Sequence, residues 1–214
     1  MKTPLILLVC SFFLSSCLEG IFLSPEEGCN FSQYKGQRVA WNNLPINLFM
    51  DDGTNELQRK AVTEAVDAIH KQHNKIFFNI VMGVTPSLKW QKAWGNSATI
   101  EQDGKSGIYW ISTTWPKQFH SKQAITRTRW RGASIIEADV IINASAYDFF
   151  LKVAKPSGVD LKSLYIHELL HVVGLKHIKE DPESVMNPVL PYGAQPQRRQ
   201  LSSIDKASLD CEYK

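Results

Sequence analysis

The sequence is poor in features that mark several protein classes. Its 214 residues carry 24 Lys and Arg against 21 Asp and Glu, a formal net charge of +3. That excess is too small to argue for a nucleic-acid partner. No long basic run supplies one locally, since Arg198-Arg199 is only a pair. No internal repeat or low-complexity segment is present. The mostly apolar run over residues 5–14 is too short for a comfortable transmembrane helix. Cysteine is scarce, with four in the chain. What remains is an ordinary globular composition, long enough for one sizeable domain with its own core.

The first residues differ from the rest. Lys2, the apolar run and the small residues after it have the layout of a secretory signal over residues 1–16. Its end, Leu14-Ser15-Ser16-Cys17, resembles the lipobox of bacterial lipoproteins. The resemblance implies cleavage before Cys17, lipid on its sulfur, and a soluble domain tethered to a membrane of the envelope. Without lipid on Cys17 the same signal gives a secreted or periplasmic protein. Cys10 leaves with the signal, so Cys29 and Cys211 remain. In an exported chain this pair reads as a disulfide that closes a very long loop. The rival reading is a free Cys29 thiol able to reach a metal.

Residues 17–40 show no strong pattern and read as a tether, so the domain is expected over residues 41–214. Ile46, Leu48 and Met50 alternate as in a strand. Leu57, Ala61, Val62, Ala65, Val66 and Ile69 recur at helical spacing and predict an amphipathic helix ending near His73. Residues 75–83 and 107–113 read as strands. QAITRTRWR, residues 123–131, alternates strictly, which suits an edge strand. Its arginines either block aggregation there or favour acidic substrates. IIEADVIIN, residues 135–143, reads as a buried central strand. Ser157 and Asp160 look like a capping box, or Asp160 caps alone, before a helix running to Gly174. Residues 201–213 predict a closing helix. Helices interspersed with strands give a mixed α/β domain.

The chemistry concentrates in HELLHVVGLKH, residues 167–177. His167 and His171 are four apart on a helix and project from one face. Glu168 sits beside them, within reach of a water at a shared metal. Gly174 can take the left-handed conformation that ends a helix, so the chain can fold back and deliver His177. Three neutral nitrogens leave the fourth position of a tetrahedral zinc open, as in catalytic sites. No cysteine lies nearby to close it. The alternative is a buried helix whose histidines find polar partners. Five fixed positions at this spacing should arise by chance in on the order of one chain in 10^5. Burying three imidazoles on one face without a metal is also costly, so the metal reading prevails.

These residues resemble the zinc signature of the metzincin metalloproteases. DPESVMNP, residues 181–188, is similar to the methionine turn of that group, with Met186 nine residues after His177. Within the group the chain looks most like the matrixins. The similarity extends to the Trp41 to Leu48 opening, the EADVIIN strand, and Leu201, Ser202, Asp205 and Leu209 in the final helix. The resemblance implies a metzincin-like α/β (α+β) fold. A twisted mixed sheet and an active-site helix would lie above a cleft, with a smaller lower part ending in the C-terminal helix. It implies one catalytic zinc ion on His167, His171 and His177, with Glu168 as general base. It also implies an extended peptide laid along the 123–130 edge strand. Pro188 and Tyr192 would wall the pocket beside the cleaved bond.

The resemblance is incomplete. No segment is similar to the matrixin pro-domain, and EEGCN around Cys29 does not match its latency motif. Ile178 stands where matrixins usually place serine. Pro188 stands where some metzincins carry a tyrosine that assists the oxyanion, a role Tyr192 would have to fill. Asp51-Asp52 could take calcium, but no calcium site is assignable. His70, His73 and His120 read as surface or helix-end residues. The expectation is a monomeric zinc endopeptidase acting on proteins or peptides, with no nucleic acid and with the membrane reached only through lipid. The alternative is a catalytically inactive zinc-binding module on the same fold, against which the intact Glu168 and ligand set argue.

Overall fold

Ile46, Leu48 and Met50 are buried while Asn47 between them is exposed. The period-two pattern therefore forms a strand with one face in the core. The computed structural model describes residues 29–50, 53–83, 90–92, 98–100 and 102–214. In chain order the elements are β1 (Gln33–Tyr34), β2 (Gln37–Arg38), β3 (Ile46–Met50), α1 (Glu56–His73), β4 (Phe78–Met82), β5 (Trp90–Lys92), β6 (Ala98–Ile100) and β7 (Ser106–Ile111). There follow β8 (Ala124–Arg131), β9 (Ser134–Asn143), β10 (Phe149–Phe150), β11 (Val159–Asp160), α2 (Leu161–Val172) and α3 (Ser203–Asp210).

The main sheet has five strands in the order β4-β3-β7-β9-β8. All pairs are parallel except β8 with β9, so β8 is the antiparallel edge strand. Helices α1 and α2 pack on each other, and α2 lies against β8 and β9. The core between them holds Ala61, Val62, Ala65 and Ile69 of α1 with Ala138, Val140 and Ile142 of β9. On the far face Tyr109 and Ile141 gather Ile111, Trp115 and Ile125. β9 is thus buried on both sides, as its near-continuous apolar run requires.

Two polar residues interrupt that run. Glu137 and Asp139 are fully buried on the far face. Glu137 Oε2 accepts from Gly104 N at 2.6 Å, and Asp139 Oδ1 accepts from Gly107 N at 3.0 Å. Arg129 of β8 pairs with both carboxylates. Its guanidinium is therefore an internal partner of two buried carboxyl groups.

Each helix begins on a side chain that accepts an orphan N–H. Asn55 and Gln58 form a capping box on α1, and Ser202 with Asp205 forms one on α3. On α2 it is Asp160 alone that accepts from Ser163 N, so Ser157 takes no part.

Residues 29–40, expected to be part of a tether, pack on the domain instead. Phe31, Val39 and Ala40 are buried core residues. Phe31 bridges to Leu175, and Ala40 to Ser134. Residues 29–40 belong to the domain because their apolar side chains fill a gap beside the end of α2. Cys29 and Cys211 form a disulfide, with Cα atoms 5.8 Å apart across a sequence separation of 182. The free-thiol reading of Cys29 is thereby excluded. The signal segment, Cys17 and Asp51-Asp52 lie outside the described residues. Among the described residues no helix is long and apolar enough to cross a membrane.

Replacing both Cys29 and Cys211 by serine should lower stability by about 2–5 kcal/mol. Denaturation midpoints under non-reducing conditions measure this. Reductant should bring the parent protein to the same midpoint and leave the double variant unchanged.

Candidate metal centre and cleft

Helix α2 is anchored at its start. Asp160 is fully buried and binds Arg199 Nη2 at 2.8 Å and Gln195 N at 3.0 Å. Nearly every side chain of α2 is buried, so the helix cannot rotate without exposing core. Its end is equally fixed. Gly174 has φ +107, and a Cβ there would meet Val39 O at 2.4 Å. Both the conformation and the space demand glycine. Beyond it, Lys176 N donates to Asn30 O at 2.8 Å, and Asn30 Nδ2 donates to Lys176 O at 2.6 Å. The residues around Phe31 thus splint the segment that carries His177 back to the helix.

The three imidazoles converge. His177 Nε2 lies 3.1 Å from His171 Nε2 and 3.3 Å from His167 Nε2. His167 Nδ1 is 2.7 Å from Val185 O, and His171 Nδ1 is 2.7 Å from Leu175 O. A carbonyl oxygen only accepts, so both Nδ1 atoms carry the proton and both Nε2 atoms present lone pairs. Burial, first among the causes, holds His167 well below the usual histidine range and His171 down to about 4. His177 is lowered too, by burial and then by the charges of Lys122 and Lys179. Neutral imidazoles with outer hydrogen bonds are the form that binds metal. A tetrahedral zinc about 2.0–2.1 Å from each nitrogen sets its ligand nitrogens about 3.3 Å apart, so the donor set fits that ion.

The floor beneath is tied by buried side chains far along the chain. Met186 is fully buried, and its carbonyl accepts from Ile178 N at 2.9 Å. Ile178 itself is a core residue, which accounts for an apolar side chain there. Asp205 Oδ1 accepts from Ser184 Oγ at 2.6 Å, and Oδ2 accepts from Val185 N at 2.9 Å. Arg198 Nη2 donates to Val185 O at 2.9 Å and Asn187 O at 2.6 Å. Val185 O therefore accepts from both His167 and Arg198.

Glu168 is 5% exposed, and Thr126 Oγ1 of β8 donates to its Oε2 at 2.5 Å. Burial pushes its carboxyl up to about 7, opposed by the Thr126 bond and by the charge of Lys122. A cleft of about 840 Å³ runs between the β8 edge, α2, the segment 174–177 and residues 187–190. Gln123 Nε2 pins that last wall by donating to Leu190 O at 3.1 Å.

His167, Glu168, His171, His177 and Pro188 all line this cleft, with Met186 buried close by. Tyr192 does not. It is half exposed, packs on Tyr147 at 6.3 Å between ring centroids, and lines a separate depression. Thr126, Arg198, Asp205, Asn30 and Lys122 are absent from the sequence reading as site residues. Asp205 alone carried a signal, as part of the final-helix pattern.

Two outcomes follow from these contacts. The folded, metal-free protein holds His171 at about 4 against an ordinary value of 6.5. This group therefore binds fewer protons than in the unfolded chain between those values, and its contribution to stability falls as pH drops from 6.5 toward 4. In thermal melts of chelator-treated protein, His171→Gln should lose less stability than the parent between pH 6.5 and 4, with the contributions of His167 and His177 remaining. Arg198→Met should weaken metal binding by about 10–100-fold, measured by competition with a chromophoric chelator.

A comparison with curated proteins gives no match. The matrixin family model matches residues 40–214, well over half of the chain. With that match over the sheet, the α2 histidines and the closing helix, the chain belongs to the matrixin family.

Proposed function

We propose that this matrixin is a zinc-dependent endopeptidase that hydrolyses internal peptide bonds, with Glu168 as general base. The family supplies the reaction class, a metallopeptidase hydrolase, and with it a peptide substrate. One observation carries the finer reading. Three neutral Nε2 atoms meet in an open cleft beside a carboxylate that is tied to an edge strand.

His167, His171 and His177 would hold the ion. The chemistry supplied by zinc when bound is Lewis acidity, which brings the pKa of water near ~7 and polarises the scissile carbonyl. The rest falls to the chain. The free backbone groups along the edge of β8 pair with an extended peptide and set the carbonyl in place. Thr126 holds Oε2 of Glu168, which leaves Oε1 to accept a proton from the attacking water. The carboxylate so placed can take that proton and then release it to the leaving amine nitrogen. Burial of Glu168 keeps bulk water from levelling its basicity.

We propose further that the protein is exported and anchored through lipid on Cys17. The residue 1–16 signal pattern and the Leu14 to Cys17 motif support this, and a Cys29–Cys211 disulfide suits an oxidising compartment.

Purified protein should cleave casein, lose activity to a chelator and regain it with zinc. Glu168→Gln should retain stoichiometric zinc while turnover falls by about 10²–10⁴-fold. Near-parental turnover in that variant would sink the assignment of Glu168.

A further inference from the structure

The charge around the cleft is one-sided. Its lining includes two lysines, Lys122 and Lys176, and a single carboxylate, Glu168, while Arg127 alternates with Thr126 and belongs to the other face of β8. The whole chain is nearly balanced, at 24 basic against 21 acidic residues. The imbalance is therefore local to the cleft. Glu168 cannot offset it, because it is buried and already bound to Thr126. Neither lysine has a carboxylate partner among the described residues.

Lys122 is the better placed of the two. It precedes Gln123 and the first residue of β8. Its backbone is fixed on both sides: N donates to Phe119 O at 2.8 Å, and O accepts from Asn143 Nδ2 at 3.0 Å. Asn143 is fully buried, so the anchor is part of the core. The side chain is exposed. It lines the same cleft as Glu168 and His177, which lie on different segments of the site. Lys176 is likewise held by its backbone, to Asn30, with its side chain exposed. A bound divalent cation would add to this positive field, leaving a peptide carboxylate as the natural complement.

We propose that the cleft selects peptides with an acidic side chain close to the cleaved bond, and that Lys122 is the residue that reads it, with Lys176 adding to the field. This rests on the endopeptidase reading and narrows it to a substrate class. The lysine ammonium is a point charge, so Asp and Glu should both be accepted.

Internally quenched peptides, identical except for Asp, Asn or Lys at each of the three positions on either side of the cleaved bond, test this. At low salt the parent protein should show kcat/KM for the best Asp peptide about 5–10-fold above its Asn counterpart, with Lys lower still. The preference should shrink at high salt, survive in Lys122→Arg, and invert toward Lys in Lys122→Glu. Cleavage without charge preference, or a preference unaltered in Lys122→Glu, overturns the proposal and leaves the endopeptidase reading intact. If no peptide is cut, that reading fails, and anisotropy measurements of peptide binding decide this one. Tighter binding of the Asp peptide, reversed in Lys122→Glu, supports it; equal binding overturns it.

Discussion

The hydrogen bond from His167 Nδ1 to Val185 O, at 2.7 Å, is the contact on which the site depends. It settles which nitrogen of His167 faces the cleft, and it fixes the ring plane against the methionine-turn backbone. Val185 is in turn held at N by Asp205 and at O by Arg198. Asp205 also completes the capping box of α3, the helix that Cys211 caps at its C-terminal end. The disulfide joins Cys211 to Cys29, and the next residues pair with Lys176 and Leu175, one step before His177. The constraint closes on itself: the partner of the first histidine and the carrier of the third are tied through one buried carboxylate and one covalent bond. Loss of any link leaves the remaining imidazoles close together but no longer fixed to a common point.

The arrangement is costly without an ion. His167 is buried, His171 is half-buried and His177 sits at the exposed mouth; their lone pairs converge, and desolvation lowers the proton affinity of each. Protein stability is sacrificed at the site so that no reorganisation is needed when the metal arrives. Glu168 follows the same logic. Its carboxylate is fixed by Thr126 on the strand along which the peptide would lie. Base and substrate then share one reference frame, so small movements of α2 do not separate them.

Much of this was legible in local pattern. The spacing of Leu57 to Ile69 gives α1, the alternation over residues 123–131 gives β8, and the spacing of three histidines around Gly174 gives the convergent site. Periodicity and left-handed glycine are short-range properties, and sequence carries them directly. The remainder depends on contacts between distant residues. Thr126 looks like any strand threonine until β8 is laid beside α2. Arg198 looks like half of a surface charge pair, yet it is 5% exposed and holds the methionine turn. Phe31 sits in a stretch without periodicity, because it fills a single gap and repeats nothing. Tyr192 lies close to Met186 in sequence, yet its ring packs on Tyr147 beside a separate depression.

The central claim is that the chain alone presets three neutral imidazoles as a single metal site with an open position. Titration of the metal-free protein with cobalt(II), followed by its visible absorption, tests that most directly. The account predicts the intense bands of a four- or five-coordinate ion, saturating at about one equivalent and abolished by His177→Ala. Weak six-coordinate absorption, or uptake that His177→Ala leaves unchanged, would contradict it.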